Sequence, residues 1–354
     1  VARLLKRLMR EKIDGLVLDL RGNGGGSLEE AIKLTGLFVP AGPVVQAKDW
    51  RGNITWRESE NPEPLYTGPM IVLTDKSSAS ASEILAAALQ DYRRAVVVGD
   101  QSTFGKGTVQ TILPVERFMP FFSDKSRAGA LKVTIQKFYR IAGGSTQLKG
   151  VVPDLHLPSV RDVLDIGEGA APNALEYDTI PPRDYSYFTK NPLPVEQLNT
   201  SLQSRLANNM EFQFIISESQ RIKERIDRNT VSLNIEQRRQ ERDEAEKRRE
   251  EQEAARKARV KEVAEQLGDN GFNTYPLTLD KVDAKELALN TDVTSEQRSG
   301  MRVAKENEKE SGASDEYPYG IEPAKLETLN ILRDYIQVLN GQPTTAETSP
   351  KREK

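Results

Sequence analysis

The chain has 354 residues, with 50 Lys and Arg against 53 Asp and Glu, a net charge of −3 and a mean hydropathy of −0.58. This length is typical of two or three domains, and the near balance of charge gives no reason to expect nucleic acid as the main partner. The absence of cysteine excludes disulfides and thiolate metal sites, and no apolar run reaches the length of about 18 residues that a membrane span needs.

The chain opens on a stretch with helical periodicity, VARLLKRLMREKI (1–13), which has neither an initiator Met nor an apolar signal segment. We therefore expect it to be a fragment of a longer protein. The lack of cysteine fits an oxidising compartment, although many cytosolic proteins also lack it.

The first part of the chain alternates apolar runs, which predict buried strands, with amphipathic runs, which predict helices. The predicted strands are 15–20, 70–74 and 95–99, and the predicted helices are 27–38 and 82–92. After residue 107 the pattern becomes rich in β-structure, over 108–115, 130–141 and 150–158. This part is therefore predicted to be α/β with an antiparallel addition.

From about residue 161, Pro-rich connections lead into long polar helices. In 236–262 acidic and basic residues alternate, so their charges cancel locally, which predicts a solvated helix rather than a nucleic-acid-binding arm. Three pairs there have the stabilising i,i+4 order: Asp243/Lys247, Glu244/Arg248 and Glu253/Lys257. We divide the chain into a domain of residues 1–160, a helical region of 161–340 and a tail of 341–354 that is predicted to be disordered.

A glycine-rich turn, GNGGGS (22–27), lies between the first predicted strand and a helix. A dinucleotide fingerprint would need glycine where Ser27 stands, and Ser27 has capping-box spacing to Glu30. That fingerprint also needs a strand ending in an acidic residue about 20 positions on, and VPAGPVVQ (39–46) does not suggest one. The run is either a tight structural turn or a set of backbone N–H donors for an anion, such as a phosphate or an oxyanion.

A lysine flanked by glycines occurs in GDQSTFGKGTVQ (99–110). A P-loop is not expected, because Gly99 and Gly105 enclose five residues rather than four and Lys106 is followed by Gly107 and a strand-like run. Lys106 is either an exposed loop lysine or a lysine drawn into a packed region, where desolvation favours the neutral amine that acts as a base.

A cluster of serines occurs in TDKSSASASEI (74–84), at a predicted strand-to-helix junction. Only Ser80 has glutamate three residues later, the capping-box spacing that places it at the start of the helix. Ser77 and Ser78 then lie in the loop, and Ser82 lies in the first turn. Because a helix N-terminus stabilises an oxyanion, Ser80 is either an N-cap or a nucleophile.

The only histidine, His156, stands in PDLHLP with no nucleophile-and-acid pattern beside it, and we interpret it as a structural or surface residue. A Ser-His-Asp triad is therefore not expected. A Ser-Lys pair is the remaining way to activate a serine.

Four ordered motifs, LDLRGNGGG, SASASEI, TFGKGTVQ and TIQKFYRIAGGSTQLKGVVPD, resemble those of the carboxyl-terminal processing peptidases, and among these the bacterial tail-specific proteases. The resemblance covers about residues 10–160, and the polar helices after it resemble the C-terminal region of the long tail-specific proteases. It implies an α/β, crotonase- or ClpP-like peptidase core with an added β-rich part, followed by an all-α, highly charged region.

By this resemblance the nucleophile is Ser80, its general base is Lys106, and Gln110 orients the lysine. The oxyanion donors are the backbone N–H of Ala81 and that of a glycine in the run, Gly26 or in its place Gly25. The loop before Lys106 is one residue longer than is usual in the family. The resemblance implies no metal and no cofactor.

The resemblance also implies a setting: the periplasm of a Gram-negative bacterium, an upstream PDZ domain in the full-length protein, protein substrates with apolar C-termini, and a lipoprotein adaptor. The predicted function is a serine endopeptidase with a Ser-Lys dyad that degrades or processes proteins recognised by their C-terminal tails. One alternative is a catalytically silent fragment that acts as a scaffold or adaptor-binding module. A nucleotide-binding protein is a third hypothesis.

Overall fold

The computed structural model describes residues 1–118, 129–269, 273–289 and 322–344, and these ranges contain a parallel and an antiparallel β-sheet. The parallel sheet has the strand order β1-β4-β5-β8. Its strands are β1 (Leu16–Asp19), β4 (Met70–Thr74), β5 (Val96–Gly99) and β8 (Leu155–His156). Strands β4 and β5 are wholly buried, as is typical of central strands that are covered on both faces.

Helices cover both faces of the parallel sheet. The helices of the first part of the chain are α1 (Ala2–Arg10), α2 (Leu28–Thr35) and α3 (Ala81–Asp91). On one face, Leu85 of α3 belongs to the same core cluster as Val72 of β4. On the other face, Ile71 of β4 packs in a cluster with Leu198 and Ile331, which come from the helical region. The C-terminal helices therefore complete the core around the parallel sheet.

The antiparallel sheet has the strand order β3-β2-β7-β6. Its strands are β2 (Gly42–Asp49), β3 (Ile54–Ser59), β6 (Thr108–Pro114) and β7 (Ala130–Tyr139). Strands β6 and β7 fall within the predicted β-rich runs, so an α/β fold with an antiparallel addition is confirmed. The pairing of β6 with β7 shifts register between Val109 and Gln110.

Two strand predictions were wrong. The sequence VPAGPVVQ (39–46) suggested no strand that ends in an acidic residue. Residues 42–49 nevertheless form β2, which ends at the acidic Asp49, and the Gly and Pro at its start explain why the strand pattern was obscured. Because β2 pairs with β3 and β7 and not with β1, it does not restore a dinucleotide fingerprint. Of the predicted strand 150–158, only Leu155–His156 is a strand, and it joins the parallel sheet beside β5.

The predicted helical region contains four α-helices within the described residues: α4 (Val195–Asn208), α5 (Met210–Arg228), α6 (Ile235–Asp269) and α7 (Pro323–Leu339). Helices α4 and α7 are joined by Arg205, whose Nε lies 2.7 Å from Glu327 and which also pairs with the fully buried Asp334. None of the helices in the described ranges is long and apolar enough to cross a membrane.

The described side chains of α6 from residue 235 to 258 are exposed, as the alternating charges predict, whereas Arg259 pairs with Glu211 of α5. Two of the three predicted ion pairs form, Glu244–Arg248 at 3.9 Å and Glu253–Lys257 at 2.9 Å. Lys247 lies 4.0 Å from Glu251, in place of the predicted pair with Asp243.

The predicted disordered tail was wrong for its first residues. Residues 341–344 are described, and Thr344 is buried, with its hydroxyl 2.8 Å from that of Ser201 on α4. The remainder of the predicted tail, 345–354, lies outside the described residues.

Candidate active site

The strand-to-helix turn between β4 and α3 holds Ser80 in an uncommon backbone conformation. Its φ of 57° and ψ of −114° are values that a residue with a side chain rarely adopts, and such strain is typical of functional turns. A sharp turn of this kind presents a serine hydroxyl at the end of a sheet, as in the nucleophile elbows of α/β-hydrolases. Ser80 is half-buried.

The neighbouring serines have structural roles. Ser78 is fully buried and donates its hydroxyl to the carbonyl of Leu20 at 2.8 Å. The hydroxyl of Ser82, which is 5% exposed, donates to the carbonyl of Asn23 at 3.0 Å. Both side chains thus tie the serine turn to the glycine-rich loop, and this separates them from Ser80 within the cluster.

The glycine-rich loop packs directly against the serine turn at Gly25. This residue has a φ of 97°, and a Cβ placed on it would lie 2.6 Å from the Ala79 carbonyl oxygen, 2.8 Å from Ser80 Cβ and 2.9 Å from the Ala81 amide nitrogen. A Cβ on Gly26 would meet nothing within 4 Å. The structure therefore brings Gly25 and Ala81 together beside Ser80, and Gly26 follows in the chain. Their role as oxyanion donors stays a prediction.

Two residues that the sequence interpretation missed fix the glycine-rich loop in place. The carbonyl of Asn23 accepts the Ala79 N–H at 3.0 Å. The carboxylate of Asp75, which is 2% exposed, accepts the Gly22 N–H at 3.0 Å and pairs with Arg161 at 2.8 Å. The sequence signal for Asp75 was an acidic residue placed directly after an apolar strand.

The loop between β5 and β6 carries Lys106, and it enters a strand, not the helix that a P-loop requires. Lys106 Nζ donates to Gln110 Oε1 at 3.0 Å, so the predicted lysine–glutamine pair is formed in the structure. Lys106 is half-buried and Gln110 is exposed. The register shift that precedes Gln110 in β6 lies next to this contact.

The side chain of Glu83 joins the serine turn to the lysine loop. One carboxylate oxygen, Oε2, accepts the backbone N–H of Ser80 at 2.6 Å and that of Lys106 at 3.0 Å. The other oxygen, Oε1, accepts the Thr103 hydroxyl at 2.6 Å and the Gly105 N–H at 2.8 Å. Glu83 is fully buried. Two segments that are 26 residues apart in sequence are thus held on one carboxyl group.

Burial raises the pKa of Glu83 to about 7, while its four hydrogen-bond donors oppose this rise. All four contacts come from N–H or O–H groups, so the ionised carboxylate is the form that accepts every one of them. Protonation would convert one of its oxygens into a donor that faces another donor.

His156 is placed as the sequence interpretation expected. Its Nε2 lies 2.8 Å from Asp162 Oδ2, and its side chain is 48% exposed. Within the ranges that the structure describes, no group of three His, Cys, Asp or Glu residues has the geometry to hold a metal ion.

Comparison with known proteins places this site in a family. Residues 1–157 match the model of peptidase family S41, and residues 161–337 match the C-terminal domain of tail-specific protease. The chain belongs to the S41 tail-specific proteases. The tail-specific protease of Haemophilus influenzae is 43% identical over 251 residues, which are 69% of this chain and 35% of that protein.

Other relatives match a smaller share of the chain. The carboxy-terminal-processing protease of Bartonella bacilliformis is 41% identical over 150 residues, which are 42% of this chain and 32% of that protein. The chain thus spans about a third of the length of these two relatives. Among solved structures, a photosystem II D1 C-terminal processing protease is 32% identical, with a TM-score of 0.37 over 44% of this chain and 38% of that chain.

A Gly25→Ala substitution is predicted to disturb the serine turn. The new methyl group would overlap the backbone at Ala79 and Ala81 at a φ that disfavours side chains, so the free energy of unfolding should fall by about 1–3 kcal/mol. The matched control is Gly24→Ala, where a Cβ meets nothing within 4 Å. Urea unfolding measures both changes. An equal effect of the two substitutions would contradict the proposed contact between Gly25 and the turn.

The raised pKa of Glu83 predicts a pH dependence of stability. Between its ordinary value of 4.5 and about 7, the folded protein retains a proton that the unfolded chain has released. The free energy of unfolding should therefore fall as the pH rises through this window, by up to about 1.4 kcal/mol per pH unit from this group.

Urea unfolding at several pH values checks this dependence. The Glu83→Gln variant should lack the Glu83 component of the slope between these two values. Glu30→Gln, at an exposed acid in the first turn of α2, should keep the wild-type slope. Identical slopes in Glu83→Gln and wild type would contradict the assignment.

Proposed function

We propose that the chain is the catalytic part of a serine endopeptidase in which Ser80 is the nucleophile and Lys106 the general base. The observation that carries this proposal is the shared contact of Ser80 and Lys106 with Glu83. A strained serine turn at a helix N-terminus and a lysine loop on one buried carboxylate fit a Ser-Lys dyad better than two unrelated structural loops.

In the proposed reaction, the neutral amine of Lys106 takes the proton from Ser80 Oγ as this oxygen attacks the carbonyl carbon of the peptide bond. Gln110 accepts one Lys106 N–H, which directs the amine. The lysine then returns the proton to the leaving amine. Water, deprotonated by the same lysine, hydrolyses the acyl-enzyme and restores the Ser80 hydroxyl.

The negative charge that develops on the carbonyl oxygen is stabilised by backbone N–H groups. The Ala81 N–H lies at the N-terminus of α3, where the helix dipole favours an anion. The second donor comes from the glycine run, and the close packing of Gly25 on Ser80 supports this loop as its source. Gly26 and Gly25 both stay in the proposal as the residue whose N–H is used.

We extend the proposal to a longer protein of which this chain would be a part, because the chain spans about a third of the length of the two relatives above. Its substrates are proteins with apolar C-termini, which an upstream PDZ domain captures, with a lipoprotein adaptor as a further partner. The proposed location is the periplasm of a Gram-negative bacterium. The tail-specific protease of Haemophilus influenzae, at 43% identity, supports this setting.

Removal of either dyad residue is predicted to abolish cleavage. In a protein that joins this chain to an upstream PDZ domain, Ser80→Ala and Lys106→Ala should each lower the rate of cleavage of a protein with an apolar C-terminus by at least about 10³-fold. The rate is measured by loss of the intact substrate on gels. Substantial cleavage by either variant would contradict the dyad.

Two residues of the same loop provide matched controls. Ser77→Ala and Lys76→Ala remove the same two kinds of side chain from the serine turn, and both should cleave at close to the wild-type rate. A fluorophosphonate probe should label Ser80 and no other serine. Failure to label, with the PDZ domain present, would favour the alternative of a scaffold or adaptor-binding module.

A further inference from the structure

The charges of α5 and α6 are balanced along the sequence but unevenly distributed in space. A groove of about 620 Å³ lies between the two helices, near the connection that joins them. Its walls carry three glutamates and twice as many arginines, which are Arg221, Arg225, Arg228, Arg238, Arg242 and Arg248. The groove therefore concentrates positive charge that the composition of the region conceals.

Helical periodicity explains this concentration. Arg221, Arg225 and Arg228 are spaced i, i+4, i+7, so they lie on one face of α5. Arg238 and Arg242 are spaced i, i+4 on α6, and both line the same groove. The acidic residues that balance these arginines in the sequence of α6 lie partly on its other faces.

Some of these arginines already have a carboxylate partner. Arg238 lies 3.2 Å from Glu241, and Arg248 lies 3.9 Å from Glu244. The structure pairs Arg221 with Glu218. Within the described ranges, none of the ion pairs involves Arg225, Arg228 or Arg242, although all three line the groove and are exposed.

The open end of the groove adds apolar surface. Val231, which lines the groove, is 67% exposed, and Leu233 in the same connection is 99% exposed. Ile235, at the start of α6, is 66% exposed. Exposed apolar side chains beside arginines are typical of protein-binding surfaces, where arginine is enriched.

We infer that this groove is a docking site for an acidic segment of another protein. Guanidinium groups bind carboxylates through paired hydrogen bonds, so Arg225, Arg228 and Arg242 suit Asp and Glu side chains of the partner. Apolar side chains of the same segment would cover Val231 and Leu233. This surface is separate from the dyad, so it bears on the choice of partner and not on the chemistry.

The composition of the groove favours a polypeptide over the two other anionic classes. Its three glutamates would repel the continuous phosphates of a nucleic acid, and no lysine is among the described residues that line it. A bilayer presents a broad surface to which a concave groove between two helices is poorly matched. An acidic segment can place its carboxylates between the glutamates.

Fluorescence anisotropy of the whole chain with a fluorescein-labelled peptide built from the repeat Glu-Glu-Leu tests the inference. Wild-type protein should bind it, and affinity should fall with added salt. Arg225→Glu and Arg242→Glu should each weaken binding by at least about tenfold, because each reverses a charge in the groove. Arg225→Gln, a milder change, should weaken binding in the same direction if a glutamate variant folds poorly.

The matched controls are Lys223→Glu and Arg239→Glu, which make similar charge reversals on the same helices at residues that do not line the groove. Both should bind within about twofold of wild type. Equal loss in control and groove variants, or no binding by wild type, would overturn the inference. Stronger binding of single-stranded RNA or phosphatidylglycerol vesicles than of the peptide, lost in Arg225→Glu, would also overturn it. Cleavage activity is not a readout here, so failure would leave the proposed dyad untouched.

Discussion

The buried carboxylate of Glu83 is the group on which the geometry of the site depends. A buried carboxylate needs hydrogen-bond donors around it, and here all of its described partners are donors from the serine turn and the lysine loop. The same requirement therefore fixes both loops at once. A displacement of either one would leave a buried acceptor unsatisfied, at a cost of about 1–3 kcal/mol. One buried carboxyl group thus fixes the positions of both loops.

The helical region contributes to this site indirectly, through the sheet that supports it. Helix α7 places Ile331 against the same strands whose ends carry the serine turn and the lysine loop. Arg161, at the start of the region, pairs with Asp75 in the serine turn, and Glu322 pairs with Arg21 beside the glycine-rich loop. The arginine groove lies in the same region, on the part of α5 that follows the core residue Phe212 and on the start of α6. One part of the region thus supports the peptidase fold, and the other presents a surface.

The central strands and the start of the helix that carries Ser80 can be predicted from the sequence, because both depend on local patterns. The continuous apolar runs of β4 and β5 predict buried strands, and the three-residue spacing from Ser80 to Glu83 predicts the helix start. Strand β2 was missed because Gly42 and Pro43 at its start obscure the strand pattern and because its pairing with β3 and β7 is not a local feature of the sequence. The second role of Glu83 was missed for the same reason, since its contact with Lys106 is made across 23 residues. The arginine groove could not be predicted from composition, because it depends on which faces of α5 and α6 lie opposite each other.

The rate at which a fluorophosphonate labels Ser80 in the Glu83→Gln variant tests this dependence most directly, with the upstream PDZ domain present and the fold checked by circular dichroism. Glutamine has one acceptor oxygen and an NH₂ group, so it cannot accept all four hydrogen bonds of the carboxylate, and its NH₂ group would face two of the donors. We predict labelling at least about tenfold slower than in wild type, which corresponds to an activation barrier about 1.4 kcal/mol higher, and a wild-type rate in Glu30→Gln. Labelling of a folded Glu83→Gln protein at the wild-type rate would contradict the central role of this carboxylate.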